Sequence, residues 1–275
     1  HAAVCFDDGV IVSTGGSSGS GEIHTTTVGG TTLALVTQTT FTSRAGHAIA
    51  RVPGDANAFV VVCGKGSWYL NDALLTANRG ATFVTTATAV FTSGREKAGL
   101  VATGARSFVA FGGRGSVGAV LTEYNEVRTS IDAGVTWVTL RADGGGLGSE
   151  CTNAAMWSKR FGFGYAYMAA LNRIIVAGGK TVGAALEQDV WGSDDGGVCW
   201  KQLTADSNGV AATGYSGASL LVAVLGGIEI LVLAAGNNGA NYLNTVSRSL
   251  DGGATWKVVA AASVPLWLGR QYSAI

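Results

Sequence analysis

Short apolar runs that end in or near glycine recur along the chain. They read VIVSTGG, FVVVCGKG, FVAFGGRG, IIVAGGKT and ILVLAAGNNG, with polar or glycine-rich stretches between them. Runs of this length, rich in valine, isoleucine and phenylalanine and bounded by glycine, predict β-strands. No helical period runs long enough to compete. The pattern therefore predicts an all-β chain.

A polar turn motif follows each run, with the form Ser/Thr-x-Asp/Asn-x-Gly-x-Thr-Trp/Phe. Its strongest copies lie in SIDAGVTWVTL, SDDGGVCWKQL and SLDGGATWKVV. Asp or Asn can bond its own backbone two residues on, glycine supplies a positive φ, and Trp covers the hairpin. We therefore expect a structural role for Ser130, Asp132, Gly134, Trp137, Ser193, Asp195, Gly197, Trp200, Ser249, Asp251, Gly253 and Trp256.

Two weaker copies extend the repeat towards the N-terminus. One begins at Thr76 with Asn78, and a worn copy begins at Thr26, so the first positions lie 50, 54, 63 and 56 residues apart. A further strand-like segment, such as LNDALLT or EQDVWGS, lies between each apolar run that ends in glycine and the polar turn that follows it. An aromatic residue and an arginine, as in FTSRAGHA, open an inner strand.

Units of about 50 residues with four short strands predict the blades of a β-propeller, which must stack to bury their faces. We expect one domain over 1–275, with blades at approximately 1–46, 47–99, 100–164, 165–217 and 218–275. Because Arg270 stands at the phase of Arg44, five blades closed into a ring are favoured. Six blades, or a fragment of a larger propeller, are the alternatives.

The turns resemble the Asp boxes of sialidase-type (BNR-like) propellers, and strands such as QDVWGS resemble kelch repeats. The resemblance covers nearly the whole chain and implies a β-propeller. It does not imply an activity, because in sialidase-like families these boxes lie away from the substrate. The sialidase F/Y-R-I-P motif is matched only loosely by ARVP, where Arg51 follows Ala50 and lies inside the repeated inner strand.

Charge is low and balanced. Only 13% of the 275 residues are charged, with 18 basic and 18 acidic side chains. A nucleic-acid partner would need a basic face, and a membrane helix would need about 18 consecutive apolar residues, so neither is predicted. A small domain with so few charges has little protection against association.

The chain has four cysteines and begins at His1. An even cysteine count and a start other than Met fit a processed protein that is secreted or lies at the cell surface. The candidate disulfides are Cys5–Cys63 and Cys151–Cys199, and buried free thiols are the alternative. The cysteine spacings match no zinc motif, and we expect no metal or cofactor.

Cationic residues recur at two phases of the repeat, which would place them on one face. Such a cluster could bind acidic sugars or another anion. The alternative is that each arginine bonds backbone carbonyls between blades. The candidate ligand-binding residues are Arg44, Arg95, Arg160, Arg270, Lys65, Arg114, Lys180 and Asn237.

No set of catalytic residues stands out, because many acidic residues lie in turns and His47 belongs to the repeat. The sequence favours a non-catalytic extracellular module for structure or interaction, including a self-assembling coat or filament subunit. Its partners would be its own copies, other extracellular proteins or glycans, with KGSWYLND and VPLWLGRQYSAI as contact segments. The alternatives are a sialidase-like glycoside hydrolase and a multivalent glycan-binding lectin.

Overall fold

The computed structural model describes residues 1–16, 21–27, 32–36, 40–145, 151, 156–181, 183, 185–204, 214–234 and 236–260. These residues form strands and turns, with one short 3-10 turn at Ala169–Leu171. The all-β prediction is confirmed. No helix among these residues is long and apolar enough to cross a membrane.

The first two sheets are antiparallel and take their strands in chain order. The first sheet consists of β1 (Ala2–Cys5), β2 (Ile11–Thr14), β3 (Ile23–Thr26) and β4 (Leu33–Val36). The second consists of β5 (Ala48–Arg51), β6 (Phe59–Val62), β7 (Ala73–Thr76) and β8 (Val84–Ala87).

The third sheet differs because a hairpin interrupts its chain order. Its path is β10-β11-β14-β15, and the hairpin β12–β13 forms a separate sheet in the order β13-β12-β9. The bounds are β9 (Arg95–Glu96), β10 (Gly99–Gly104), β11 (Ser107–Phe111), β12 (Arg114–Val117), β13 (Val120–Glu123), β14 (Val127–Ser130) and β15 (Val138–Arg141).

The fourth and fifth sheets return to chain order. The fourth consists of β16 (Arg160–Phe161), β17 (Gly164–Met168), β18 (Arg173–Thr181), β19 (Leu186–Ser193) and β20 (Lys201–Thr204), with both β16 and β17 paired to β18. The fifth consists of β21 (Ser219–Leu225), β22 (Ile228–Ala234), β23 (Val246–Ser249) and β24 (Lys257–Ala260).

The chain divides into two compact units. The first comprises His1–Thr122 and Arg128–Thr139, and the second comprises Glu123–Val127 and Leu140–Ser273. In the first unit, strand β6 is buried on both faces. Phe59 and Val61 enter a core with first-sheet residues, whereas Val60 and Val62 enter a core with third-sheet residues.

The second unit has the same kind of core. Ile175 and Ala177 of β18 pack with Leu231 and Leu233 of β22. Alternate residues of a strand point to opposite faces, so a strand between two sheets must be apolar throughout. The continuous apolar runs in the sequence have this physical cause.

Candidate functional site

The predicted polar turns are closed hydrogen-bond networks. The Ser130 hydroxyl donates to Asp132 Oδ1 at 2.8 Å, and the N–H groups of Val135 and Thr136 donate to the same oxygen at 3.1 and 2.9 Å. The Thr136 hydroxyl donates to Asp132 Oδ2 at 2.6 Å. The Gly134 N–H donates to Ser130 Oγ at 2.9 Å. One carboxylate therefore organises the whole turn.

This geometry recurs in three further turns. Ser193 donates to Asp195, and Ser249 to Asp251, both at 2.8 Å. Thr76 donates to the Asn78 side-chain oxygen at 2.9 Å, so an amide can replace the carboxylate. The worn copy at Thr26 includes residues outside the described part of the chain.

The pKa of Asp132 reflects this network. Burial raises it, but the hydrogen bonds from Thr136, Ser130 and Val135 stabilise the carboxylate and bring its pKa down to about 2. A carboxylate held in this way accepts hydrogen bonds from its own turn and is a poor general acid.

The turn of Asp132 also links two neighbouring sheets. Trp137 Nε1 donates to the Gly134 carbonyl at 3.1 Å, and the indole packs against the core shared by the second and third sheets. The Thr86 hydroxyl of β8 donates to the same carbonyl at 3.0 Å. Gly134 lies so close to the second sheet that a Cβ there would stand 3.4 Å from a methyl of Val60.

Three of the four repeated arginines, Arg44, Arg95 and Arg160, are buried and do not lie in the predicted anion site. Arg44 is fully buried, donates to both oxygens of Asp72 at 2.7 and 2.8 Å, and donates to the Cys63 carbonyl at 2.9 Å. Arg160 is also buried, forms a two-point ion pair with Asp189, and donates to the Gly178 carbonyl at 2.9 Å.

Arg95 has the same kind of position. It is buried, donates to the Gly112 carbonyl at 3.2 Å and lies 3.8 Å from the Phe91 ring centroid. The three guanidinium groups therefore face their own sheets and are not exposed to a ligand. The expected carbonyl bonds exist, but each carbonyl belongs to the same repeat unit as its arginine. Arg270 lies outside the described residues.

The partners of these arginines were missed in the sequence. Asp72 and Asp189 each stand four residues before the Ser or Thr that opens the polar turn. The residue before the acid also has a role, since the Asn71 side chain bonds both the N–H and the carbonyl of Phe91 at 2.9 Å. Asn125 likewise donates to the Trp157 carbonyl at 2.9 Å. The sequence does contain a signal for these partners, because an amide residue directly precedes an acidic residue in LND, YNE and EQD.

The other four candidate ligand-binding residues occupy equivalent positions in the strand pairing of their own units. They are Lys65, Arg114, Lys180 and Asn237. Lys65 and Asn237 form isolated bridges to the starts of the inner strands, at Ala45 and Ser216. Arg114 pairs with Glu96 in register, and its guanidinium bonds that carboxylate at 2.8 Å. Lys180 pairs with Phe161. Of these side chains, Lys65 is exposed, with Nζ 5.1 Å from the Tyr69 ring centroid.

One of the two candidate disulfides is formed. Cys151 and Cys199 are bonded, with their Cα atoms 5.5 Å apart. Cys5 and Cys63 remain thiols, so that pairing is wrong: Cys5 is exposed at the end of β1, and Cys63 is buried after β6. Cys199 takes the place of the turn Thr, so the disulfide replaces a hydroxyl–carboxylate bond.

Other sequence candidates have structural partners. Arg51 forms a two-point ion pair with Asp7 at 2.7 and 2.9 Å, at the surface. His47 is buried, and its Nε2 lies 2.6 Å from Thr14 Oγ1. Among the described residues, no group of three His, Cys, Asp or Glu side chains could hold a metal ion.

The exposed surface carries many large apolar side chains. Trp68, in the predicted contact segment KGSWYLND, is 70% exposed. The outer strands of the sheets carry aliphatic side chains of which about half or more is exposed: Leu33 and Leu35 on β4, Val84 on β8, Val138 on β15, and Val258 and Val259 on β24. The segment VPLWLGRQYSAI lies outside the described residues.

No protein-family model matches the chain, and a search of curated proteins finds no relative.

Proposed function

We propose that this chain is a β-propeller of four-stranded blades, most consistent with five, and that it acts as a non-catalytic extracellular interaction module that associates with its own copies. Two features support the propeller. Antiparallel sheets of four or five strands repeat along the chain, four of them with the same polar turn, and the buried arginine–aspartate pair occurs in the second and fourth repeat units. Within the first unit, β5 lies beside both β1 and β10, as inner strands of neighbouring blades do.

Self-association rests on one observation, the exposed aliphatic side chains of the outer strands. Strands β4 (LALV) and β8 (VTTA) contain no charged residue. Lysine and other charges on an outer strand are the usual protection of a sheet edge against pairing. Exposed apolar area with so little charge favours burial against another molecule.

The test is the mass of the wild-type chain in solution. Light scattering and sedimentation velocity from about 1 µM to 1 mM cover the range of weak to moderate dimers. We expect association that strengthens in ammonium sulfate, because excluded salts favour apolar burial. A monomer over the whole range, with and without the salt, would contradict the proposal.

Glycan binding is a second candidate, supported by the exposed indole of Trp68 beside Tyr69 and Lys65. Aromatic rings with one apolar face and nearby polar groups are common in recognition sites. Isothermal titration with neutral and acidic oligosaccharides tests this candidate. Binding that Trp68→Ala abolishes would support it, and no heat with any sugar would contradict it.

A further inference from the structure

The hairpin β12–β13 has an unusual position in the fold. It follows Gly113 of the third sheet and pairs through β12 with the two-residue strand β9. The equivalent connections in the second and fifth sheets are those from β6 to β7 and from β22 to β23. In their described residues each is a loop closed by a single bridge, Lys65 to Tyr69 and Asn237 to Tyr242. The third sheet therefore carries an added element at this connection.

The tip of this hairpin projects into solvent on both faces. Val117 is 63% exposed, Val120 68% and Leu121 55%. Val120 and Leu121 are neighbours in one strand, so their side chains point to opposite faces. A Cβ added at Gly118 would meet no atom within 4 Å. Neither face of the tip is covered by the described chain.

The edge of β13 is also open. The sheet order β13-β12-β9 leaves β13 with one neighbour among the described residues, so its outward N–H and C=O groups have no strand partner there. An unpaired edge of this kind is a template for another strand. From Gly115 to Thr122 the hairpin contains no charged residue.

Three of the outer strands, β8, β20 and β24, are less suited to edge pairing, whereas the ladder β3–β4 runs without a register shift. Register shifts interrupt the ladders β7–β8, β19–β20 and β23–β24. Bulges of this kind twist an edge away from a would-be partner. Their exposed side chains can still pack laterally, but backbone pairing is disfavoured.

We propose that β13 is the edge through which two copies of this chain pair, antiparallel and about a two-fold axis at Leu121. In that register Leu121 faces Leu121 of the second copy and Val120 faces Thr122, as an isologous contact requires. Glu123 faces Ala119, so no like charges meet. This inference rests on the proposed self-association and adds a backbone-pairing edge to the exposed side chains of the outer strands.

The chemistry of the hairpin indicates which kind of strand can pair with the open edge of β13. Its only side-chain hydrogen-bonding groups from Gly115 to Thr122 are the hydroxyls of Ser116 and Thr122. A charged partner would gain no ion pair there and would lose hydration. A neutral extended strand with exposed aliphatic residues is the complement, and a second β13 is such a strand.

A charge substitution with a matched control tests the surface. Leu121→Lys places two like charges opposite each other across the axis, whereas Val224→Lys places the same charge at an exposed site of the β21–β22 hairpin. We expect Leu121→Lys to weaken the dimer at least tenfold in sedimentation velocity, since facing like charges repel. Val224→Lys should associate as the wild type does.

Four outcomes are distinguishable. Loss of association in Leu121→Lys alone supports the inference. Equal association of both variants and the wild type overturns this surface but leaves self-association standing. A monomeric wild type overturns both. Association of the wild type only with an added protein would also overturn the pairing of copies.

Cross-linking gives a readout that does not depend on destabilising the chain. In a Cys5→Ser background, Leu121→Cys should oxidise to a covalent dimer, because facing residues in antiparallel strands have Cα separations of roughly 4.5–5.5 Å, which a disulfide spans. Val224→Cys is the matched control. Failure of Leu121→Cys to cross-link while the dimer persists would overturn the two-fold pairing.

Discussion

The guanidinium of Arg44 bonds both carboxylate oxygens of Asp72, at 2.7 and 2.8 Å, while its side chain is fully buried. Removing Arg44 leaves the partly exposed Asp72 carboxylate without its counterion and the Cys63 carbonyl without this donor. We expect Arg44→Met to lower the free energy of unfolding by about 2–4 kcal/mol. Urea denaturation of the wild type and the variant measures this loss.

The control is the pair Arg51–Asp7, which has the same two-point geometry at the surface. Exposed ion pairs contribute little, so Arg51→Met should cost at most about 1 kcal/mol. Similar losses for Arg44→Met and Arg51→Met would contradict a special role for the buried pair.

The polar turn predicts a second result. Asp132→Ala removes four hydrogen bonds at one turn, and we expect a loss of about 1–3 kcal/mol. Asp55 accepts one backbone bond in an exposed turn, so Asp55→Ala should stay within about 0.5 kcal/mol. Thermal unfolding of both variants compares them directly.

The same aspartate contributes a pH dependence with a defined sign. The pKa of Asp132 is about 2 in the folded chain against an ordinary 3.8. Its stabilisation is therefore fully present above pH 3.8 and is lost as the pH falls towards 2. Denaturation at pH 5 and pH 2.5 should show a smaller difference between wild type and Asp132→Ala at the lower pH.

His47 acts in a higher pH window. Burial, assisted by the charge of Arg44, lowers the pKa of His47 from 6.5 to about 3. The unfolded chain binds a proton below pH 6.5 that the folded chain excludes, so stability falls as the pH drops from 6.5 towards 3. We expect this group to remove about 2 kcal/mol between pH 6.5 and 5.

The matched variant is His47→Gln, which keeps a polar side chain near Thr14 but does not titrate. Its free energy of unfolding should change less than that of the wild type over the same interval. Parallel pH profiles for the two proteins would show that His47 is not the group responsible.

The disulfide predicts a difference between two replacements. It closes a separation of 48 residues, for which chain-entropy estimates give about 4 kcal/mol. In Cys151→Ser/Cys199→Thr, the new hydroxyl can donate to Asp195 as Thr136 and Thr255 do to their aspartates. That variant should exceed Cys151→Ser/Cys199→Ala in stability by about 1 kcal/mol. Equal stabilities would contradict a hydroxyl-for-disulfide replacement.

Local patterns predicted the strands and turns because their causes are local. Asp132 bonds atoms within four residues of itself, and the all-β class follows from the short apolar runs. The role of Arg44 was not predictable in the same way. Its partner Asp72 is 28 residues distant, and a repeated arginine fits a ligand face and an internal ion pair equally well. Only the burial of the side chain distinguishes them.

The disulfide pairing of the cysteines was likewise not predictable from local sequence. Their number suggested two disulfides, but pairing depends on where the folded chain brings the Cα atoms. Cys151 and Cys199 lie within bonding reach, whereas Cys63 remains a buried thiol and Cys5 an exposed one. The exposure of Val120 and Leu121 was likewise hidden, because an apolar pair in a strand reads as core until the sheet order is known.

The double burial of β6 has a consequence for how the chain selects one alignment while folding. In FVVV, a slip of one residue would exchange one apolar face for another, so hydrophobicity alone would barely penalise it. The penalty comes from the end of the strand. Cys63 and Gly64 both have positive φ, and the Cys63 carbonyl receives the Arg44 guanidinium. A slipped strand would present a carbonyl other than that of Cys63 to the buried Arg44 guanidinium. The arginine therefore fixes the register of a strand whose apolar pattern alone would not.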